Sequence, residues 1–441
     1  MTHAGTPSGL DDTHDPARAS WVEAANDPAC DFPVQNLPLG VFSRPGEEEP
    51  GVGVAIGDSV LDLRTVPPGW LPACVERRHL LSPSLDGLLA LGRPALAELR
   101  KRLSLLLSTG PEGNALRARR EDVLHKLARC MLHRPTSVPD YTDFYAGIEH
   151  ALRAGAIARP GVSLNPNYGT QPVGYHGRAS TVRASGHPVQ RPRGPRPGPQ
   201  GTAMGPTEAL DFELELGAVL CGPAGGDVTV GTAPERIAGL CLLNDWSARD
   251  IQRWEMAPLG PFLGKSFATT LSPWLVTLDA LLPFRIPAAP RRPEHGALLP
   301  YLHDAADQAS GGFDIRLGVV LATRAMREAG VAGVTVATSN ARHLYWTAAQ
   351  MVAHHAVNGC ELRPGDVIGT GTISGPDVSE SGSLLELTAN GRDPIRLPGG
   401  ETRAYLLDGD EVRLTGHCLR DGFVPIGFGP CAGIVTEEVA R

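Results

Sequence analysis

LDFELELG (210–217) and NDWSARDIQRWEMAPLGPFLGKSFATTLSPW (244–274) together hold nearly every reactive side-chain type in the chain. In the first run Leu210, Phe212, Leu214 and Leu216 alternate with Asp211, Glu213 and Glu215. That two-residue period predicts a strand with one apolar face and one carboxylate face. Glu213 and Glu215 then project together, roughly 6–7 Å apart at Cα for a rise of about 3.3 Å per residue. Taken alone, such a strand keeps its acidic face in solvent. The second run suggests another use for it. SARD (247–250) has the form of a capping box, with Ser247 at the N-cap and Asp250 at N3, and predicts a short helix. Arg249 and Gln252, three residues apart, share one side of that helix. GPFLGKS (260–266) places only three residues between its glycines, one of them Pro261, where a phosphate loop needs four. Lys265 within it is one of three lysines, with Lys101 and Lys126, among 40 lysines and arginines. In so Arg-biased a chain, a lysine in a Gly-rich turn suggests a need for a compact ammonium.

Working outward, 441 residues suffice for about two to four domains. The 52 glycines and 40 prolines predict many turns and a β-rich architecture. A formal net charge of −8 gives no reason to expect nucleic acid or a membrane surface as partner. The eight cysteines form no CxxC pair, so neither a zinc site nor a disulfide framework is expected. No run of 18 apolar residues and no signal-peptide core occurs, which implies a soluble, cytoplasmic protein with reduced thiols.

Along the chain, residues 1–18 are polar and aperiodic and predict a disordered extension. FPVQNLPLGVFS and GVGVAIGDSVLDLRTV, between 20 and 66, predict short strands of a small barrel-like unit. A helix follows with Pro94 near its start and a Leu96, Leu99, Leu103, Leu106 stripe, and a second is expected within 117–130. A boundary near 131–138 separates an N-terminal domain (19–135) from a larger one (136–441). In the latter, Asp143, Tyr145 and His150 lie close in sequence, QPVGYHGRAS (171–180) is a Gly-punctuated loop, and 185–207 predicts an irregular excursion with solvated charge. A helix is expected from Asn340, its N-cap, to Val357, with Asn358-Gly359 as stop. His354 and His355 near its end suit the helix dipole and are not taken as metal ligands. Asn390-Gly391 and Asp408-Gly409 predict hairpins, which puts Glu386 on a strand. The fold class is mostly β with a few helices, α+β.

Asp143, Glu213, Glu215 and Asp245 form a candidate oxygen-ligand set without a cysteine, suited to a divalent hard cation, magnesium or calcium. Gathered in a cleft, four carboxylates repel unless neutralised; a divalent ion with Lys265 and Arg249 balances them.

DYTDFY…EHA (140–151), PVGYHGRAS, LDFELELG, the 244–274 run, HH-VNGC-LRPGD, GTISG and LDGDEV-TGHC resemble the fumarylacetoacetase (fumarylacetoacetate hydrolase) family, from about residue 20 to the end. The resemblance implies a small N-terminal β-barrel-like domain, a mixed β-roll catalytic domain and a homodimer. It implies hydrolysis of a carbon–carbon bond in 4-fumarylacetoacetate, giving fumarate and acetoacetate in tyrosine and phenylalanine catabolism. Carried onto this chain, the metal ligands fall on Asp143, Glu213, Glu215 and Asp245, with Lys265 and Thr269 adjoining. His150 matches the water-activating histidine and Glu386 the carboxylate that orients it. Arg249, Gln252 and Lys265 match the groups that stabilise developing negative charge; Tyr145, Arg159, Tyr175 and Thr372, with Arg249 and Gln252, match substrate contacts. Met256 stands where the family usually has tyrosine, so a phenol hydroxyl is missing there. The alternative reading is a related acylpyruvate hydrolase or decarboxylase acting on another 1,3-dicarbonyl compound. The N-terminal region and the 159–175 segment argue against it and Met256 for it. A nucleotide-binding or inactive scaffold protein is the third reading, disfavoured by the defective phosphate loop and the intact His150, Glu386 and ligand set.

Overall fold

The 210–216 alternation becomes extended chain, but in two pieces and with neither face in water. The computed structural model describes residues 9–47, 49–158, 161 and 164–437. Leu210–Asp211 pairs with Ser247–Ala248, and Leu214–Leu220 pairs with Ile237–Asp245 on one side and Val367–Gly369 on the other. Leu214, Leu216, Ala218 and Leu220 enter one core. Val219, on the opposite face, enters a second with Cys241, Leu243 and the Leu96, Leu99, Leu103, Leu106 stripe of helix Arg93–Leu107. The carboxylates of the acidic face are buried too, not solvated. Each buried leucine of that stripe contributes about 1.5–3 kcal/mol.

Leu210–Asp211 and Ser247–Ala248 form a two-stranded sheet of their own, whereas Leu214–Leu220 and its partners sit inside a 13-stranded one. Its path runs from Leu124–Lys126 through Ser59–Asp62, Gly51–Ile56 and Leu39–Ser43, then Trp274–Thr277, Ile237–Asp245, Leu214–Leu220, Val367–Gly369, Tyr141–Phe144 and Gly174–His176. Leu39–Ser43 pairs with Trp274–Thr277, so the N-terminal strands extend the sheet of the larger part and share its second core. Met131–Leu132 returns to pair with Leu39–Ser43, which wraps the N-terminal strands back on themselves. A six-stranded sheet, including Arg316–Ala322, Glu411–Cys418 and Cys431–Thr436, packs against the first core. The protein is strand-rich mixed α+β. All eight cysteines are free, and among the described residues no helix is long and apolar enough to cross a membrane.

Several local expectations are corrected. Residues 9–18 of the supposed disordered extension are held in place: Asp12–His14 forms a 3-10 turn and buried His14 Nε2 lies 2.7 Å from the Asp279 carbonyl oxygen. Residues 1–8 lie outside the described residues. The 117–130 helix breaks into a turn of helix Arg120–Val123 and the edge strand Leu124–Lys126, because that segment is recruited by Ser59–Asp62. The 185–207 excursion contains the hairpin Arg193–Gly198 with Gly201–Pro206, and Arg191 is buried against Asp408 at 2.6 Å. Asn340 caps only the 3-10 turn Ala341–His343; the helix Ala348–Ala356 starts at Thr347, whose capping box with Gln350 is the stronger signal. Ser247 does not cap helix Arg249–Glu255, because it is in a strand, and Asp250 is taken by Thr207 and the Glu208 amide. Glu386 is not on a strand. Leu384–Leu387 is a helical turn capped by Ser383, and Asn390 and Gly391 (φ 63° and 81°) close it instead of turning a hairpin. Asp408-Gly409 turns the chain into Glu411–Cys418, but the preceding Thr402–Arg403 pairs with Ile395–Arg396, so no hairpin forms there either.

Candidate active site

Ile237–Asp245, Leu214–Leu220 and, across Val367–Gly369, Tyr141–Phe144 bring the carboxylates together. Asp143 lies opposite Gly369 in a parallel pair, and Leu214 opposite Asn244 in an antiparallel one, which sets Glu213 beside Asp245. Asp143, Glu213, Glu215 and Asp245 each offer an oxygen within 4.8 Å of all the others, and all four are buried. Gly369 has to be glycine: a Cβ there would lie 2.5 Å from Asp143 Oδ1 and 3.2 Å from Glu215 Oε2. Gly371 donates its N–H to both of those carboxylates.

Lys265 and Arg249 supply the positive charge. The Lys265 ammonium contacts Glu213 and lies 2.6 Å from Asp245 Oδ2. Arg249 donates from Nε to Asp211 (2.9 Å) and from one terminal nitrogen to Glu213 (2.6 Å) and to Gln252 Oε1 (3.2 Å). Thr269 Oγ1 (2.9 Å) and the Tyr175 hydroxyl (2.8 Å) donate to Asp245. Neutralisation is uneven. Burial raises Glu213, but Lys265 and Arg249 outweigh it and hold the carboxyl below the ordinary range. Burial, then the charge of Asp245, pushes Asp143 well up; burial, then Asp143, does the same to Glu215. Asp245 is also raised by burial, which its partner Lys265 only partly offsets.

The residues present fit a hard cation. Two carboxyls pushed toward protonation by burial and then by their neighbours call for a further positive charge, and the donor set is all oxygen. Glu215 Oε1 is buried with no hydrogen-bond partner, as a ligand oxygen awaiting a cation would be.

Beside this cluster sits a histidine–carboxylate pair. His150, in helix Ile148–Ala158, places Nδ1 2.6 Å from Glu386 Oε2. Ser374 Oγ (2.9 Å) and Ser383 Oγ (2.8 Å) donate to the same oxygen, and Arg153 Nε donates to Oε1 at 3.0 Å. Burial works to raise Glu386, but the His150 charge and hydrogen bond and the Arg153 charge outweigh it and hold it at about 2. That direction favours the anion, to which His150 presents Nδ1–H while Nε2 is kept for another partner. His150 is near enough to Glu213 for its charge to be felt there. The Tyr145 ring stands edge-on to the imidazole, centroids 5.3 Å apart. The Thr372 hydroxyl and one terminal nitrogen of Arg249 are buried without partners. Gln252 lies one helical turn beyond Arg249. Met256 is 44% exposed just past that helix. Arg159 lies outside the described residues.

Asp211, Arg153, Ser374 and Ser383 support this site and carried no role in the sequence reading. One signal was available for Ser383: S-L-L-E (383–386) has the capping-box spacing that places a carboxylate one turn into a helix.

Residues 35–135 match the fumarylacetoacetase N-terminal family model, and residues 141–436 match the fumarylacetoacetate (FAA) hydrolase C-terminal model. The fumarylacetoacetase of Rattus norvegicus is 44% identical over 433 residues, 96% of this chain and 99% of its own length. That of Homo sapiens is 45% identical over 434 residues (95% and 99%), and that of Arabidopsis thaliana 45% over 434 (95% and 98%). Among solved structures, a putative HpcE protein from Mycobacterium smegmatis superposes with a TM-score of 0.50 at 20% identity, covering 90% of this chain and 99% of that one, a likeness of fold.

Proposed function

This chain belongs to the fumarylacetoacetase family and hydrolyses a carbon–carbon bond of 4-fumarylacetoacetate to give fumarate and acetoacetate, and we propose how its residues divide the work. The reaction lies in tyrosine and phenylalanine catabolism.

In our reading His150 is the general base. Its Nε2 takes a proton from water, and the hydroxide adds to the carbonyl carbon next to the fumaryl double bond. The bond to the neighbouring methylene then breaks, its electron pair leaving with the acetoacetate fragment as an enolate. The proton held on His150 returns to that carbon, and Glu386 stabilises the imidazolium in between. Arg249, Gln252 and Lys265 stabilise the enolate charge. The unpartnered Arg249 nitrogen supports that role, as does the Gln252 amide, whose oxygen is occupied by Arg249 so that its NH₂ is left to donate.

Asp143, Glu213, Glu215 and Asp245, with Lys265 and Thr269 adjoining, would hold a magnesium or calcium ion, whose Lewis acidity polarises the diketone oxygens. Tyr145, Arg159, Tyr175 and Thr372, with Arg249 and Gln252, contact substrate. The unpartnered Thr372 hydroxyl supports its place in that set. The Tyr175 proton is committed to Asp245, so its oxygen is offered as an acceptor.

The same reading makes 19–135 an N-terminal unit and 136–441 the catalytic one, in a cytoplasmic homodimer whose size sedimentation would report. One observation carries the mechanism: a buried carboxylate holds His150 at 2.6 Å beside a cluster of four buried carboxylates. The test is turnover of fumarylacetoacetate alongside acylpyruvates by purified protein, before and after chelation. Turnover of acylpyruvates alone would overturn the substrate, and full activity without metal would overturn the role of the carboxylates.

A further inference from the structure

Glu386 is gripped from two sides, and one side has no part in the chemistry above. Oε2 takes His150 Nδ1, Ser374 Oγ and Ser383 Oγ. Both serines are themselves oriented, since Ser374 Oγ accepts the Gly382 N–H and Ser383 Oγ accepts the Glu386 N–H. Among the described residues Oε1 takes only Arg153 Nε, at 3.0 Å. The other arms of that guanidinium donate to Gly375 O (2.6 Å) and Pro376 O (3.1 Å). Arg153 lies three residues after His150 in the same helix, so both side chains leave one helical face and reach one carboxylate. The carboxylate is buried, whereas the Arg153 side chain is 21% exposed.

We infer that Arg153 is a positioning residue for this reaction: it fixes the plane of the Glu386 carboxylate so that Oε2 meets His150 Nδ1 and Nε2 stays aimed at the reacting water. The inference rests on the reading of His150 and Glu386 as the base and its partner. A planar fork suits the task because three acceptors on two segments, 375–376 and 386, are held by one rigid group. Ser374 and Ser383 both act on Oε2, and the donor on Oε1 holds the second oxygen, so the carboxylate is restrained at both ends. The guanidinium also ties the helix that carries His150 to the segment just after Thr372, holding base and substrate-contact segment together. Arg153 touches neither water nor substrate in this scheme; it acts through Glu386 alone.

The experiment is a double-mutant cycle of Arg153→Met and Glu386→Gln on the metal-loaded enzyme, with Arg153→Lys as conservative variant and thermal melts to confirm folding. Arg153→Met should lower kcat about tenfold, well inside the roughly 10²–10⁴-fold worth of general acid–base catalysis, with KM within about twofold of the parent. Arg153→Lys keeps a cationic donor on Oε1 and should lose about threefold. In the Glu386→Gln background Arg153→Met should cost less than about twofold, because its target is already altered. A melt shift without a kcat change, a change confined to KM, or the same tenfold loss in both backgrounds would overturn the inference. His150→Ala separates the two levels. If that variant keeps its turnover, the dyad reading itself falls; if it is inactive while Arg153→Met is fully active, only the positioning role falls.

Discussion

Replacing Glu215 by glutamine should have opposite effects on the metal-free and metal-loaded protein. The four carboxylates offer oxygens within 4.8 Å of one another. At that separation and an effective dielectric constant near 20, each charged pair repels by about 3.5 kcal/mol. Lys265 and Arg249 offset this at Glu213, but Asp143 and Glu215 are raised well above their ordinary values, by burial first and then by neighbouring carboxylates. The sign follows. A carboxyl whose folded value is raised destabilises the native state as pH climbs through and beyond the unfolded value, so chelated protein should lose stability from about pH 4.5 upward. Glu213, held low, contributes in the opposite sense, with stability present above its unfolded value and lost on acidification below it.

Glu215→Gln removes one charge and leaves the shape. In chelated protein at pH 8 it should be worth up to about 3 kcal/mol of relief. With an unfolding entropy of about 2.1 cal/mol/K per residue over 441 residues, that raises Tm by about 3 °C. Magnesium or calcium at a thousandfold excess over Kd should stabilise the parent by about 4 kcal/mol, an upward shift of about 4 °C, and should do much less for Glu215→Gln. Differential scanning calorimetry of both proteins, chelated and with each ion, reads these shifts. Zinc should help less than magnesium or calcium, because no nitrogen or sulfur ligand joins the set. If the chelated variant melts no higher than the chelated parent, or the parent is indifferent to both hard cations, the carboxylates are not an ion cage.

Three further outcomes are expected. His150→Ala should lower kcat about 100-fold or more and Glu386→Gln less, with the double mutant scarcely worse than His150→Ala; losses that multiply would show two independent roles. Met256→Tyr should lower KM for fumarylacetoacetate with kcat little changed, since it restores a hydroxyl at a half-exposed position beside Gln252; steady-state kinetics on fumarylacetoacetate and an acylpyruvate reads the change, and a gain on the latter alone would count against the assigned substrate. Asp307 is raised from 3.8 to about 6 by burial, against the hydrogen bond from Thr347, so its contribution to stability falls as pH rises between those values, by about 3 kcal/mol in all. Asp307→Asn keeps an acceptor for Thr347 and should raise Tm at pH 8 but not at pH 4; equal melts at pH 8 would refute the burial argument.

What was legible in the sequence was what local period encodes. Glu213 and Glu215 share a face because strands alternate, and Arg249 and Gln252 share a side because helices repeat. The stripe in Arg93–Leu107 was readable for the same reason. What lay on that acidic face was not local: Glu213 and Glu215 are buried among Asp143, Asp245, Arg249 and Lys265 from other segments, whereas alternation alone predicted solvent. The errors share a cause. Ser247 looked like a cap and Asn390-Gly391 like a hairpin because each fits a local template, but tertiary partners took the backbone first. Leu210–Asp211 paired with Ser247–Ala248, and the Asn-Gly pair ended the helical turn that Ser383 had begun. His150 and Glu386 entered as site residues through the family resemblance, and Asp143 as a carboxylate grouped with Glu213, Glu215 and Asp245, none of them through any spacing.

The two halves of the site are joined by a residue that the alternation made look ordinary. Asp211 is fully buried, and burial raises its carboxyl while Arg249 pulls it back. One of its oxygens accepts Arg249 Nε and the Leu385 amide, the other the Leu384 and Phe212 amides. Leu384 and Leu385 open the helical turn whose third residue is Glu386. The arginine assigned to the enolate and the carboxylate assigned to the base are therefore anchored on one side chain. A carboxylate at the start of a helical turn is favourable in its own right, and here that favourable contact also sets the geometry. Moving Arg249 toward a developing charge would drag on the Glu386 turn, and displacing Glu386 would loosen Arg249 from Glu213. Since Glu213 is in turn held by Lys265 and belongs to the carboxylate cluster, base, enolate donors and cation site form one connected network in which no member has room to relax alone.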